Sequence, residues 1–230
     1  ILEDAACAAG AIYKDKYAGT LGDISSFSFH PRKSITTGEG GMVATQNSYY
    51  YELMDQMRNH GATVSEEERH NGSKPYILPD FNLLGFNYRM TDLQGSIGMV
   101  QLEKLKSLIK ERSKWAKWYN EKLSDIKWLK LPQEPNNGKH GWQSYVTYVE
   151  PNLSPFPRNQ VMEKLKEMGI SSRPGTHAVH MLSFYQNRFG IKPSDYPGAK
   201  ACYENSMAIP LHNQMVKEDY EYIVSALRNI

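Results

Sequence analysis

One lysine of this 230-residue chain lies where a side-chain amine can be held rather than left in solvent. Lys33 stands between an apolar, strand-like run and the glycine-rich turn Thr37–Gly41. Upstream, a second apolar run ends on the carboxylate of Asp4, and the hydroxyl of Ser28 closes the run before the lysine. The chain therefore offers an amine, a carboxylate and a hydroxyl at the ends of predicted strands.

These three groups are the ones that a pyridoxal phosphate (PLP) enzyme requires. The amine of Lys33 would form a Schiff base with the cofactor, Asp4 would keep the pyridine nitrogen protonated, and Ser28 would bind the phosphate. Each group also has an ordinary alternative. The lysine could be a solvated loop residue, the aspartate could cap a helix over the helix-prone stretch Ala5–Ala9, and the serine could be a plain strand residue.

The motifs around these residues resemble those of the DegT/DnrJ-type sugar aminotransferases, a PLP-dependent family of fold type I. The resemblance is carried by Glu3–Ala11, Gly22–Lys33, Thr36–Gly41 and Gly85–Gln94, and it extends to Ile209–His212 and the final helix. It implies an α/β, aspartate aminotransferase-like fold with an incomplete large-domain sheet and a small α/β carboxy-terminal domain. Because the family's amino-terminal part has no counterpart here, we expect a carboxy-terminal fragment.

The resemblance also implies a role for individual residues. Lys33 matches the Schiff-base lysine, and Asp4 and Ser28 match the groups that hold the pyridine nitrogen and the phosphate. Cys7 occupies a cofactor-binding position that usually carries glutamine or histidine, and a thiol is a weaker hydrogen-bond partner than either. Asn87 resembles an asparagine that reaches the partner subunit's phosphate, which implies a homodimer with shared active sites. A turn asparagine is the alternative for Asn87.

Three more residues are candidates for binding substrate. Arg89 could pair with a substrate phosphate through two hydrogen bonds, and an ion pair with Asp92 is an equally good interpretation. The family analogy places the loop with His177 and His180 at the sugar pocket, and a purely structural loop is an equal alternative. A zinc site needs three or four ligands, and the other histidines offer no convincing set, so we predict no metal.

Composition bounds the class of protein. Apolar residues make up 40% and charged residues 23%, which is ordinary for a soluble globular protein. A net charge of +2 without a basic stripe argues against a nucleic-acid partner. No apolar run has the length that a bilayer requires, so we expect no membrane partner. Two cysteines, Cys7 and Cys202, are typical of free thiols in a reducing compartment, and we expect a cytoplasmic protein.

Hydrophobic patterns predict the elements that must position these residues. Glycine-bounded apolar runs predict buried strands over Ile24–Phe29 and Met42–Thr45. Polar composition predicts a long loop over His60–Pro79. Thr91 is expected to cap a long helix that runs to about Leu123.

Two domains are predicted on either side of that helix's end. Residues 1–125 would form the later part of a PLP-binding large domain, including the long linking helix. Residues 126–230 would form the small domain, after a Pro/Asn/Gly linker over Pro132–Gly141. A strand over Trp142–Val149, a helix closed by Gly169, a strand over 170–173 and a terminal helix are predicted within it.

The function implied by the resemblance is amino transfer, from glutamate to a keto sugar on a nucleotide carrier, in amino-sugar or polysaccharide biosynthesis. The amino donor and the nucleotide-linked keto sugar would be its small-molecule partners. A PLP-dependent sugar dehydratase would use the same cofactor, but such relatives carry histidine at the position of Lys33. A cyclitol aminotransferase would also be consistent with these residues. A protein of a different class, a non-catalytic fragment or regulatory relative that binds no cofactor, would keep the motifs without the activity.

Overall fold

A computed structural model describes residues 1–72, 74, 76 and 78–230, and for residues 66–68 it describes the backbone only. In chain order the strands are β1 (Leu2–Asp4), β2 (Ile12–Tyr13), β3 (Lys16–Tyr17), β4 (Ile24–Ser28), β5 (Gly41–Thr45), β6 (Leu129–Lys130), β7 (Gly138–Lys139), β8 (Tyr145–Val149), β9 (Arg173–Pro174) and β10 (Ser206–Ile209). The α-helices are α1 (Ser48–Arg58), α2 (Glu66–Asn71), α3 (Asp92–Leu123), α4 (Arg158–Glu167), α5 (Ser183–Phe189), α6 (Pro197–Asn205) and α7 (Lys217–Arg228).

The chain forms two compact units whose boundary falls inside α3. The first unit comprises Ile1–Ser107 and Asn137–Gly141, and the second comprises Leu108–Asn136 and Trp142–Ile230. The sequence placed the division after the helix, at residue 125. The structural division comes earlier because the second half of α3 contributes side chains to the core of the second unit.

The first unit contains a three-stranded sheet in the order β1–β4–β5. Strand β1 is parallel to β4, and β5 is antiparallel to it. The strands predicted at Ile24–Phe29 and Met42–Thr45 are confirmed as β4 and β5. The prediction that both are buried was wrong for β5, because it is an edge strand of the described sheet and about half of the Met42 and Val43 side chains is exposed.

Two segments of the first unit differ from their predicted structure. The segment His60–Pro79, predicted as a loop, contains the short helix α2, while residues 73, 75 and 77 lie outside the described residues. The linker predicted over Pro132–Gly141 contains β7, which pairs with β2 and so belongs to the first unit. Neither element shows an apolar period in the sequence, and so neither was predicted.

The long helix α3 is confirmed at both ends, but its apolar residues are not all buried. In its first half Leu93, Ile97 and Val100 are at least half exposed. In its second half Trp115 and Tyr119 are buried. The helical period therefore predicted the helix correctly, whereas burial is confined to the half that packs in the second unit.

The second unit packs helices against a four-stranded antiparallel sheet in the order β6–β8–β10–β9. Alternate residues of β8 are buried, as expected for a strand with one face on a core. The Trp115 and Tyr220 rings stack with centroids 4.1 Å apart. Burial raises the pKa of Tyr220 to about 12 and raises the pKa of Tyr119 further.

The remaining predictions for the second unit are largely confirmed. The terminal helix is α7, and Gly169 closes α4 with a φ of +77°, a conformation that favours glycine. The strand predicted at 170–173 was wrong for 170–172, because β9 comprises only Arg173 and Pro174. None of the helices in the described part of the chain combines the length and the hydropathy that crossing a bilayer requires.

Candidate functional site

Lys33 is held beside the segment that follows β1. Its Nζ donates a hydrogen bond to the Cys7 Sγ at 2.9 Å, across 26 residues of sequence. Its own backbone N–H donates to the His30 carbonyl at 2.9 Å, which fixes the backbone of the lysine within its loop. The lysine is half-buried rather than fully solvated. The amine therefore lies next to a residue only three positions after Asp4.

Asp4 and Ser28 lie at the carboxyl ends of neighbouring parallel strands. Asp4 pairs in register with Ser26 of β4, and the Ala5 N–H donates to the Ser26 carbonyl at 3.0 Å. Ligands of α/β proteins bind at the carboxyl ends of parallel strands, which is where these two side chains are placed. Ser28 Oγ accepts a bond from the His30 N–H at 3.4 Å, and its hydroxyl hydrogen is available to an acceptor.

The alternative role of Asp4 as a helix cap is only partly supported. Its Oδ1 accepts from the Ala6 N–H at 3.0 Å, but residues 5–11 form consecutive turns rather than a helix. Among the described residues no group donates a hydrogen bond to its Oδ2. Two successive turns, closed by hydrogen bonds from the Ala8 N–H to the Ala5 carbonyl and from the Ala11 N–H to the Ala8 carbonyl, replace a helix here, and Gly10 takes a left-handed φ of +76° within the second. The Oδ1 of Asp4 therefore orders the turn, and the residue as a whole is exposed.

Glu3 supports the site without belonging to it. Its carboxylate accepts hydrogen bonds from the N–H groups of Gly19, Leu21 and Gly22 at 2.6, 2.9 and 3.2 Å. Burial raises the pKa of Glu3, but the three backbone donors together hold that pKa below its usual value. The ionised side chain therefore fixes the loop that leads into β4.

The loop that carries Lys33 is closed by hydrogen bonds at its base. The Phe29 N–H donates to the Gly40 carbonyl at 2.9 Å, and the Phe29 carbonyl accepts from the Thr37 N–H at 3.1 Å. The Thr36 hydroxyl donates to the same carbonyl at 2.8 Å. In the turn predicted from its glycines, Thr37 is buried and Gly40 is half-buried, while Gly38, Glu39 and Gly41 are exposed.

Asn87 and Arg89 are both exposed and both contact Asn59. Asn87 forms an isolated antiparallel bridge with Asn59, and Arg89 Nη1 donates to the Asn59 Oδ1 at 2.5 Å. Flanking backbone bonds, from the His60 N–H to the Phe86 carbonyl and from the Tyr88 N–H to the Arg58 carbonyl, hold the two segments together. Asn59 was not among the predicted residues, because no local pattern signals a contact across 30 residues.

His177 and His180 belong to the second unit and differ in environment. His177 is exposed, whereas His180 is buried with its ring 5.1 Å from that of Tyr196. His180 Nε2 lies 3.3 Å from the Pro193 carbonyl, which can only accept, so an N–H at Nε2 donates. This geometry favours the structural alternative for His180. Among the described residues no three His, Cys, Asp or Glu side chains gather as metal ligands do.

Comparison with known proteins matches nearly the whole chain. The model of the DegT/DnrJ/EryC1/StrS aminotransferase family matches residues 1–228. The spore coat polysaccharide biosynthesis protein SpsC of Bacillus subtilis is 33% identical, and the match covers 100% of this chain and 59% of SpsC. The GDP-perosamine synthase of Caulobacter vibrioides is also 33% identical, with 100% of this chain and 58% of the synthase covered.

A solved structure agrees with these sequence matches. The Spr1654 protein of Streptococcus pneumoniae in its PMP form superposes with a TM-score of 0.89 at 27% identity, covering 100% of this chain and 58% of Spr1654. The same protein has also been solved in a PLP form. The chain spans somewhat more than half the length of the relatives that it matches. It belongs to the DegT/DnrJ/EryC1/StrS aminotransferase family, whose cofactor is PLP, and it has the α/β architecture of fold type I.

Proposed function

We propose that this chain supplies the catalytic lysine and part of the cofactor site of a PLP-dependent sugar aminotransferase. The observation that carries the proposal is the position of the Lys33 amine, 2.9 Å from the Cys7 Sγ and beside the turn that Asp4 opens. An amine, a carboxylate oxygen and a hydroxyl are thus present on neighbouring segments of one unit. The family match supports the interpretation of these three groups as part of a PLP site.

The residues present fit PLP. Asp4 Oδ2, which accepts no bond from the described residues, can accept one from a protonated pyridine nitrogen, and the Ser28 hydroxyl can donate to a phosphate oxygen. When bound, PLP supplies the electron sink for cleaving a bond to hydrogen at the substrate carbon. Lys33 would hold the cofactor covalently through Nζ and, once released, accept and return a proton at that atom. Cys7 would orient the lysine through the hydrogen bond it accepts.

The proposed substrate is a keto sugar on a nucleotide carrier, with glutamate as the amino donor. The names of two relatives, a GDP-perosamine synthase and a spore coat polysaccharide biosynthesis protein, support an amino-sugar pathway. Arg89 and His177 are exposed side chains that could contact such a substrate, and His180 would support the loop that presents His177. The proposed compartment is the cytoplasm.

An assay of amino transfer from glutamate tests this function. The purified chain is incubated with PLP and glutamate, and 2-oxoglutarate is quantified with and without a nucleotide-linked 4-keto sugar. We expect 2-oxoglutarate to form in proportion to aminated sugar. Absence of both PLP binding and 2-oxoglutarate would favour the non-catalytic fragment or regulatory relative, and 2-oxoglutarate formation with a keto cyclitol in place of the sugar would favour a cyclitol aminotransferase.

The proposed enzyme is a homodimer in which Asn87 serves the partner subunit's site. Support comes from the exposure of Asn87 and Arg89 and from the exposed apolar side chains of Leu93, Ile97 and Val100, which recur at helical spacing just after them on α3. Apolar surface of this kind favours association, and on this helix it lies next to the segment that would reach the partner.

Replacing Ile97 by glutamate tests the role of this face in association. We expect the average mass measured by light scattering to fall toward that of one chain. Association through this face of α3 would bury the new carboxylate away from water, which is unfavourable. Glutamate is a better helix former than isoleucine, so α3 should be retained. The control is Leu153→Glu, an equally polar change at an exposed turn of the second unit. An unchanged mass for Ile97→Glu would place the interface elsewhere.

A further inference from the structure

The turn that follows Lys33 is held from outside its own loop. The Glu39 carbonyl oxygen accepts two hydrogen bonds, one from the Thr37 hydroxyl at 2.8 Å and one from the Gln94 Nε2 at 2.8 Å. Thr37 belongs to the turn itself, whereas Gln94 lies in the first turn of α3, 55 residues away in sequence. The carbonyl thus joins the lysine loop to the start of the long helix.

The orientation of the Gln94 amide is determined by its other partner. Its Oε1 accepts from the Thr91 N–H at 2.9 Å and from the Thr91 hydroxyl at 3.1 Å, while the Gln94 N–H donates to the Thr91 Oγ1 at 3.3 Å. This reciprocal pair is a capping box. Because the oxygen must face the Thr91 N–H, the NH₂ group is left to face the Glu39 carbonyl.

Close packing places the same turn against the helix. A Cβ added to Gly40, whose φ is +153°, would lie 2.5 Å from the Thr37 Oγ1 and 3.0 Å from the Met90 Sδ. A Cβ added to Gly98 of α3 would lie 3.1 Å from the Thr37 Cγ2. Glycine is therefore required at Gly40, and the buried Thr37 packs directly on the helix at Gly98. The contact between turn and helix is packed as well as hydrogen-bonded.

The hydrogen bonds at the base of the loop carry this constraint to the lysine. Gly40, adjacent to Glu39, accepts from the Phe29 N–H, and the Phe29 carbonyl accepts from the Thr37 N–H. The next residue, His30, accepts from the N–H of Lys33. A displacement of Glu39 therefore shifts Gly40 and Thr37, whose two hydrogen bonds with Phe29 fix the base of the loop that carries Lys33.

We propose that Gln94 is a positioning residue for Lys33. It acts through the Glu39 carbonyl and touches neither cofactor nor reacting atoms. The importance of Gln94 for catalysis rests on the proposed function. Its restraint of the loop that carries Lys33 does not. Without the Gln94 donor, the loop of residues 29–41 loses its bond to α3, and the Nζ of Lys33 samples positions away from Cys7.

Gln94→Glu is the sharpest test because it separates the two roles of this side chain. Glutamate can still accept from Thr91 and keep the capping box, but it presents a second acceptor to the Glu39 carbonyl. The matched control is Gln101→Glu, the same change on the same helix at a side chain that makes no hydrogen bond among the described residues. Both variants should unfold at similar temperatures.

Hydrogen exchange measured by mass spectrometry reports the mechanical role without any cofactor. We expect the amides of Phe29, Lys33 and Thr37 to exchange about tenfold faster in Gln94→Glu, and at the wild-type rate in Gln101→Glu. The second readout is PLP titration, in which Gln94→Glu should need about tenfold more cofactor for half-maximal adduct.

The outcomes separate the inference from the proposed function. Unchanged exchange in Gln94→Glu overturns the positioning role whatever the titration shows. Faster exchange with an unchanged PLP midpoint also overturns it, since the loop would then move without affecting the lysine. If the wild-type chain forms no adduct, the proposed function fails for this chain, and the exchange rate of the Lys33 amide alone decides whether Gln94 positions it.

Discussion

Lys33→Ala is expected to abolish the covalent adduct with PLP completely. Among the described residues, Lys33 is the one whose amine donates a hydrogen bond to the Cys7 Sγ. Alanine at position 33 leaves no nucleophile beside Cys7. Absorption spectra of the purified protein mixed with PLP should lose the adduct band, and borohydride trapping followed by peptide mapping should find no label at residue 33. Stability should change by no more than about 0.5 kcal/mol, because the side chain is only half-buried.

Two controls make this result specific to the site. Lys16→Ala, in the exposed strand β3 of the same unit, should leave the band unchanged. Lys33→Arg retains the positive charge but carries a guanidinium that stays protonated, so it should also lack the adduct. A band that persists in Lys33→Ala, or a label mapped to another lysine, would contradict the assignment of the catalytic amine.

The second large effect is expected in the core of the second unit. Tyr220→Ala should lower the free energy of unfolding by about 4 kcal/mol, because it removes a fully buried ring that stacks on Trp115 and leaves a cavity beside Tyr119. Its hydroxyl also donates to the His212 carbonyl at 3.2 Å, a bond that is lost with the ring. Urea denaturation followed by tryptophan fluorescence measures the change.

Tyr222→Ala is the matched control for this core variant. It lies on the same helix, α7, but 54% of the side chain is exposed and its hydroxyl makes one bond, to the Met168 carbonyl. We expect it to cost about 1 kcal/mol. Equal losses for the two variants would mean that the aromatic cluster contributes no more than a surface ring, contrary to its burial.

The local sequence was sufficient for most elements but not for all. The apolar period of α3 predicted its bounds, and glycine-bounded apolar runs predicted β4 and β5. Helix α2 was missed because its residues, Glu-Glu-Glu-Arg-His-Asn, show no apolar period. The stretch Ala5–Ala9 was expected to favour a helix, yet its turns follow from the Asp4 side chain and from Gly10. Propensity was overridden there by a specific hydrogen bond.

The sequence alone indicated Asp4, Ser28 and Lys33 as candidates through their chemistry and spacing. It indicated their PLP roles and the fold type I architecture through the resemblance to the DegT/DnrJ-type family. The partners of Lys33, Arg89 and Glu39 were decided only by the tertiary structure. Cys7 against Lys33, Asn59 against Arg89 and Gln94 against Glu39 join positions 26, 30 and 55 residues apart. Such pairs depend on how the strands and α3 bring distant segments together. Hydrophobic periodicity indicates which face of a helix or strand is apolar, but it does not indicate which segment packs against that face.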